Sequence, residues 1–177
     1  GQVLRGLPLL NERSVPVNVE ADSLNAAVLG ADVKPEDPEF ALFVRELANE
    51  MTVKAGQKCT AIRRAMVPEH LLPSVQEAVI ARLQKTVIGD PQAEGVRMGA
   101  LATHDQIGRV EAEMNKLMAE QELVFNPDLD LVGATDAGAF YTPKLFVNSD
   151  PFAKTKVHEV EPFGPVSTLM PYKTIDE

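Results

Sequence analysis

The chain has a single cysteine, Cys59, in the stretch Gly56-Gln57-Lys58-Cys59-Thr60. A thiol attacks carbonyl carbon as its thiolate, and an unperturbed thiol with a pKa of about 8.5 is only slightly ionised at neutral pH. Lys58, Arg63 and Arg64 lie close enough in sequence to favour the thiolate. Backbone amides between Gly56 and Thr60 could also face an oxyanion. An inert, buried small side chain is the plain alternative for Cys59. The second group is Glu20, which ends the alternating stretch V-P-V-N-V-E over 15–20. A carboxylate at the carboxyl end of a strand in an α/β sheet faces the crevice where ligands bind, and could act as a general base. A solvated strand end is the other reading, and Asp22 is a competing carboxylate. The third group is Glu161-Pro162-Phe163-Gly164-Pro165. Two prolines fix two backbone angles and Gly164 permits a tight bend between them. Such a turn could hold Glu161 against a ligand hydroxyl and set Phe163 beside an aromatic ring, or it could simply reverse the chain.

Alternating strands and helices must position these groups. The stretch 15–20 reads as a strand, and A-A-V-L-G over 26–30 as another. Asp37-Pro38-Glu39 resembles a helix start, followed by Phe40, Phe43, Val44, Leu47 and Met51 at helical spacing, with Gly56 at its end. After Cys59 the pattern over 61–67 predicts a strand. Pro68 and Glu69 then open a helix whose apolar side holds Leu72, Val75, Val79, Ile80 and Leu83. The residues 87–91 are a turn signal. A third helix begins near Thr103, with Ile107, Val110, Met114, Leu117 and Met118 inward. Strands are expected over 123–125, 140–148 and 166–172, with a polar loop over 126–138. The alternation predicts an α/β fold with a mostly parallel sheet flanked by helices.

The bulk numbers narrow the function classes. A length of 177 residues suits one domain with a real core, and a charged fraction of 24% is ordinary for a globular chain. The net charge of −9 opposes nucleic-acid binding, which needs clustered Lys and Arg. One Cys and three scattered His give no metal-ligand cluster. There is no apolar run long enough for a membrane span. A reducing cytoplasm is the expected compartment.

The three chemical motifs occur in one order: a strand-end Glu, then G-Q-x-C, then E-x-F-G-P. That order resembles the aldehyde dehydrogenase superfamily. G-Q-K-C at 56–59 is similar to the family's active-site cysteine motif, and E-P-F-G-P-V at 161–166 to its cofactor-contacting turn. V-I-G-D-P at 87–91, M-G-A-L at 98–101 and Y-T-P-K-L at 141–145 resemble further family landmarks, in sequence. The resemblance implies that Cys59 is the nucleophile and Glu20 the general base. It implies that Glu161 hydrogen-bonds the nicotinamide ribose and that Phe163 packs beside the nicotinamide of NAD or NADP, with NADP favoured. The family usually follows its base with Leu-Gly-Gly, whereas this chain reads E-A-D-S-L-N at 20–25. Together with M-T-V-K-A-G-Q-K-C-T-A-I-R-R at 51–64, that stretch is similar to the branch of the family that oxidises a coenzyme A-linked semialdehyde in phenylacetate degradation, with the related dehydrogenase of benzoyl-coenzyme A degradation as the nearest alternative.

On this resemblance, 1–177 is expected to be one catalytic domain, with 1–20 as a lead-in strand. The cofactor-binding domain, the oxyanion-hole asparagine and a C-terminal segment would lie outside it. The isolated chain is then expected not to turn over. The resemblance also implies a homo-oligomer for the whole protein, an aldehyde partner, and no nucleic-acid or membrane partner. A non-catalytic α/β scaffold or binding module derived from this fold is the alternative from a different class.

Overall fold

The computed structural model describes residues 2–19, 23–128, 130–135 and 137–177. The chain opens with two short helices, α1 (Gln2–Arg5) and α2 (Pro8–Glu12), and then runs extended to Val19. The strand expected over 15–20 is therefore corrected over 15–19: these residues join no sheet. Pro16 lacks a backbone donor, Val15 and Val17 face solvent, and alternation without a partner strand makes no ladder. Glu20, the end of that stretch, lies outside the described residues.

β1 (Asn25–Val28) is followed by α3 (Pro38–Thr52). Asp37 precedes Pro38 with extended backbone, so Pro38 occupies the first helical turn, where a missing N–H costs nothing. Phe40, Val44, Leu47 and Met51 form the buried face, as their spacing predicts. Next come β2 (Ile62–Pro68), α4 (Leu72–Leu83), β3 (Ile88–Gly89) and α5 (His104–Met118). The buried face of α5 is Val110, Met114 and Leu117; Met118 is 45% exposed, so its expected core position is corrected. β4 (Glu122–Phe125), β5 (Leu131–Val132), β6 (Lys144–Val147) and β7 (Val166–Tyr172) complete the series. β3 and β5 pair inside segments expected to be turn and loop. β6 is shorter than its expected span because Pro143, just before it, has no N–H to give a ladder.

Among the described residues the main sheet has the order β1-β2-β7-β6-β4. β1, β2, β7 and β6 run parallel, and β4 is antiparallel at the edge. Helices α3 and α4 supply one apolar layer, against Ala65, Val67, Leu145, Val147 and Leu169. The other layer comes from α5 with Phe146, Val166, Met98 and Val160. A parallel sheet needs both faces covered, and alternate residues of β6 (Leu145, Phe146 and Val147) point into opposite cores. The parallel order also brings the starts of β2, β7 and β6 to one end of the sheet, where Lys144 pairs with Val166 in register. Among the described residues no helix is long and apolar enough to cross a membrane.

Candidate active site

Two turns meet at that end of the sheet. The first connects α3 to β2. After Thr52 the chain enters a 3-10 turn, Val53–Gly56, in which Lys54, Ala55 and Gly56 take φ of 54°, 51° and 68°. Three successive left-handed residues are rare, at a cost of about 1–2 kcal/mol for each residue that carries a Cβ. Gly56 meets the requirement at no steric cost, and the backbone of the second turn approaches it closely. A Cβ there would lie 2.2 Å from the Gly164 carbonyl oxygen.

The turn ends by presenting the cysteine. The Ala61 N–H donates to the Lys58 carbonyl at 3.2 Å, so Cys59 and Thr60 occupy the corners of a β-turn just ahead of β2. Cys59 is exposed and carries a free thiol. Exposure removes the reading of Cys59 as a buried filler. Its backbone is pinned from the segment that follows Glu20: the Ser23 hydroxyl donates to the Cys59 carbonyl at 2.6 Å, and Asn25 Nδ2 donates to the same oxygen.

The three cations expected to favour the thiolate are committed to other partners. Lys58 Nζ pairs with Glu50 at 2.6 Å. Arg64 donates to the Leu24 carbonyl through Nη2 at 2.5 Å and Nε at 3.1 Å. Arg63 is 3% exposed and points into the protein. Its Nη2 donates to the Gly56 carbonyl at 2.6 Å and its Nη1 to the Gly164 carbonyl at 2.5 Å.

The second turn is E-P-F-G-P, immediately before β7. Pro162, Gly164 and Pro165 are buried, Glu161 is half-buried and Phe163 is 39% exposed. The Ser23 N–H donates to Glu161 Oε2 at 3.0 Å, and Arg63 Nε lies 3.8 Å from Glu161 Oε1. The Arg63 guanidinium sits 5.6 Å from the centroid of the Phe163 ring, within cation–π range. Burial pulls the Arg63 pKa below its ordinary value, while the carboxylates of Glu161 and Glu50 push it back up. Gln57 ties the turns a second time: Nε2 donates to the Phe163 carbonyl at 3.0 Å, and Oε1 accepts the Ala102 N–H at 2.8 Å.

Glu161 and Phe163 line a cleft of about 720 Å³ together with Leu24, Gln57, Gln106 and Arg109, on the side of α5. That volume suits a cofactor-sized group. Its chemistry fits a nicotinamide riboside with phosphate beyond it. Glu161 is a fixed carboxylate that can accept ribose hydroxyls, Phe163 presents a flat apolar face, and Arg109 is a solvent-exposed cation. Cys59 sits across the turn from this cleft and is not part of its lining. Of the four expected site residues, three (Cys59, Glu161 and Phe163) converge on one end of the sheet. Sequence reasoning missed Ser23, Gln57 and Arg109, and placed Arg63 beside the thiolate rather than between the two turns. Gln57 had a signal in the G-Q-x-C motif itself, and Ser23 and Arg63 lie within quoted stretches.

A fold of this topology, with a cysteine turn and an E-x-F-G-P turn at one sheet end, defines a class, and comparison with known proteins agrees. A model of the aldehyde dehydrogenase family matches residues 11–177. The chain belongs to the aldehyde dehydrogenase family. It is 44% identical over 172 residues to a 3,4-dehydroadipyl-CoA semialdehyde dehydrogenase of Aromatoleum evansii, covering 96% of this chain and 33% of that protein. Among solved structures it is similar to an aldehyde dehydrogenase C mutant of Pseudomonas syringae in complex with NAD+ and octanal. There the TM-score is 0.69 and the identity 29%, over 88% of this chain and 30% of that one. Betaine aldehyde dehydrogenase of Staphylococcus aureus, in complex with NAD+, gives a TM-score of 0.71 at 26% identity, over 88% of this chain and 29% of that one. The chain spans about a third of the length of these relatives.

Proposed function

We propose that 1–177 is the nucleophile-bearing catalytic domain of an enzyme that oxidises an aldehyde to its carboxylic acid with a nicotinamide dinucleotide. The observation that carries this reading is the junction of the two turns. Exposed Cys59 stands on one, Glu161 and Phe163 on the other, and Arg63 and Gln57 join them.

The thiolate of Cys59 adds to the aldehyde carbon, and the carbonyl electron pair moves to oxygen. The Cys59 backbone N–H is one donor available to that oxygen. Glu161 would accept hydrogen bonds from the ribose of a bound cofactor, and Phe163 would flank its nicotinamide. When bound, the cofactor supplies the two-electron acceptor that turns the thiohemiacetal into a thioester. Glu20 then takes a proton from water, whose oxygen adds to the thioester carbon. Cys59 leaves as thiolate and the acid departs. The covalent route avoids removing hydride from an unhydrated aldehyde, which would create an acylium-like carbon.

The substrate read from the resemblance is a coenzyme A-linked semialdehyde of aromatic catabolism, and the name of the Aromatoleum relative supports the coenzyme A-linked semialdehyde. The resemblance favours NADP, while both solved relatives are named as NAD+ complexes, so both cofactors belong in the assay. Outside its natural-length protein, 1–177 is expected not to turn over. The test is pre-steady-state kinetics on the natural-length protein. Cys59→Ala should abolish oxidation. Glu20→Gln should retain a burst of reduced cofactor, one equivalent per site, followed by little turnover. Appreciable oxidation by Cys59→Ala, or an unchanged steady rate in Glu20→Gln, would sink the respective assignment.

A further inference from the structure

Arg63 carries a full charge at 3% exposure, and its hydrogen bonds go to backbone carbonyls rather than to a carboxylate. Those carbonyls come from two distant turns: Gly56 beside the cysteine, and Gly164 with Val166, at 3.4 Å, beside the cofactor turn. The turns are in direct backbone contact, since a Cβ on Gly56 would strike Gly164. Two carbonyl dipoles whose negative ends converge repel each other unless a cation stands between them. The same side chain lies 3.8 Å from the Glu161 carboxylate and beneath the Phe163 ring. One planar group thus meets Glu161, Phe163 and Gly164 of the cofactor turn and the strained end of the cysteine turn.

We propose that Arg63 is a positioning residue for aldehyde oxidation. Its forked guanidinium locks the cysteine turn to the cofactor turn, so that the nucleophile and the nicotinamide site keep one relative geometry. The proposal rests on the function proposed above. Lysine offers a single ammonium point in place of two parallel donor ends, so it keeps the charge and loses the fork. Displacement of one turn by about 1 Å is enough to cost roughly a hundredfold in rate.

The experiment compares wild type, Arg63→Lys and Arg63→Gln in the natural-length protein. Rates are normalised to the number of alkylatable Cys59 thiols. Arg63→Lys should lower kcat per thiol by about ten- to a hundredfold and raise the cofactor KM by about fivefold or more. A merely structural arginine would reduce the yield of folded protein and leave kcat per thiol and the cofactor KM at wild-type values, and that result overturns the proposal. Should neither variant fold, 15N NMR of the wild-type Arg63 guanidinium decides. Resolved, slowly exchanging Nη signals that shift on adding NAD+ or NADP+ are expected. Averaged signals that ignore both cofactors overturn it. Failure of the parent reading is separable: wild-type oxidation abolished by Cys59→Ala leaves that reading standing whatever Arg63→Lys does. Absence of cofactor-dependent oxidation in wild type overturns both.

Discussion

The cysteine turn and residues 3–19 differ sharply in how the chain is held. The cysteine turn is built into the core: Ala55 and Gly56 are buried, Arg63 and Gln57 bind it to the E-P-F-G-P turn, and Lys58 is paired with Glu50. Residues 3–19 are exposed throughout, apart from half-buried Leu10 and Val19, and Val3, Leu4 and Leu9 present large apolar side chains to solvent. After residues 20–22, the chain is caught by Ser23. Its N–H binds Glu161 and its hydroxyl binds the Cys59 carbonyl. The contrast teaches where preorganisation resides. Cys59 sits on a turn with left-handed backbone packed tightly against the E-P-F-G-P turn, whereas Ser23 and Asn25 reach that turn through hydrogen bonds to the Cys59 carbonyl. A nucleophile must be held within a fraction of an ångström of its target, and rigid elements supply that tolerance better than loops do.

Substitutions at Gly56, at Ser23 and at Val3 or Leu4 should have effects that fall in that order. Gly56→Ala places a Cβ against backbone at a left-handed φ, and should cost roughly 2–4 kcal/mol of stability. Thermal or denaturant unfolding measures this, and a loss below about 1 kcal/mol would show that the frame gives way easily. Ser23→Ala keeps the N–H bond to Glu161 and removes the hydroxyl bond to Cys59. It should cost about 1 kcal/mol, and alkylation kinetics should show a change of a few-fold at Cys59. A silent Ser23→Ala would mean that Asn25 alone holds the Cys59 carbonyl. Val3→Ser and Leu4→Ser should leave the unfolding midpoint of 1–177 within about 0.5 kcal/mol of wild type. A larger loss in either would show that the lead-in packs on the body.

Much of this arrangement is legible in the sequence, and the rest is hidden for physical reasons. Helical spacing located α3, α4 and α5 because each buries one stripe on the sheet, and the fold class followed from their alternation with strands. The strand over 15–19 misled because alternation reports a face without reporting a partner. Met118 kept the helical spacing but falls at the end of α5, past the core. In the site, Cys59, Glu161 and Phe163 are side chains whose chemistry announces itself. Arg63 does not, because its partners are carbonyls that every residue possesses, and only the fold brings Gly56 and Gly164 together. Ser23 is hidden for the same reason: what it reads on Cys59 is backbone.

On the proposed function, Cys59 is a nucleophile held beside a nicotinamide site. The most direct measurement is the rate of Cys59 alkylation by iodoacetamide across pH 5 to 10, on 1–177 and on the natural-length protein, with and without NAD+ or NADP+. A rate of Cys59 alkylation in the natural-length protein that changes on adding NAD+ or NADP+ is the result expected. A rate indifferent to both cofactors would contradict that reading and leave the fold as an inheritance without the chemistry.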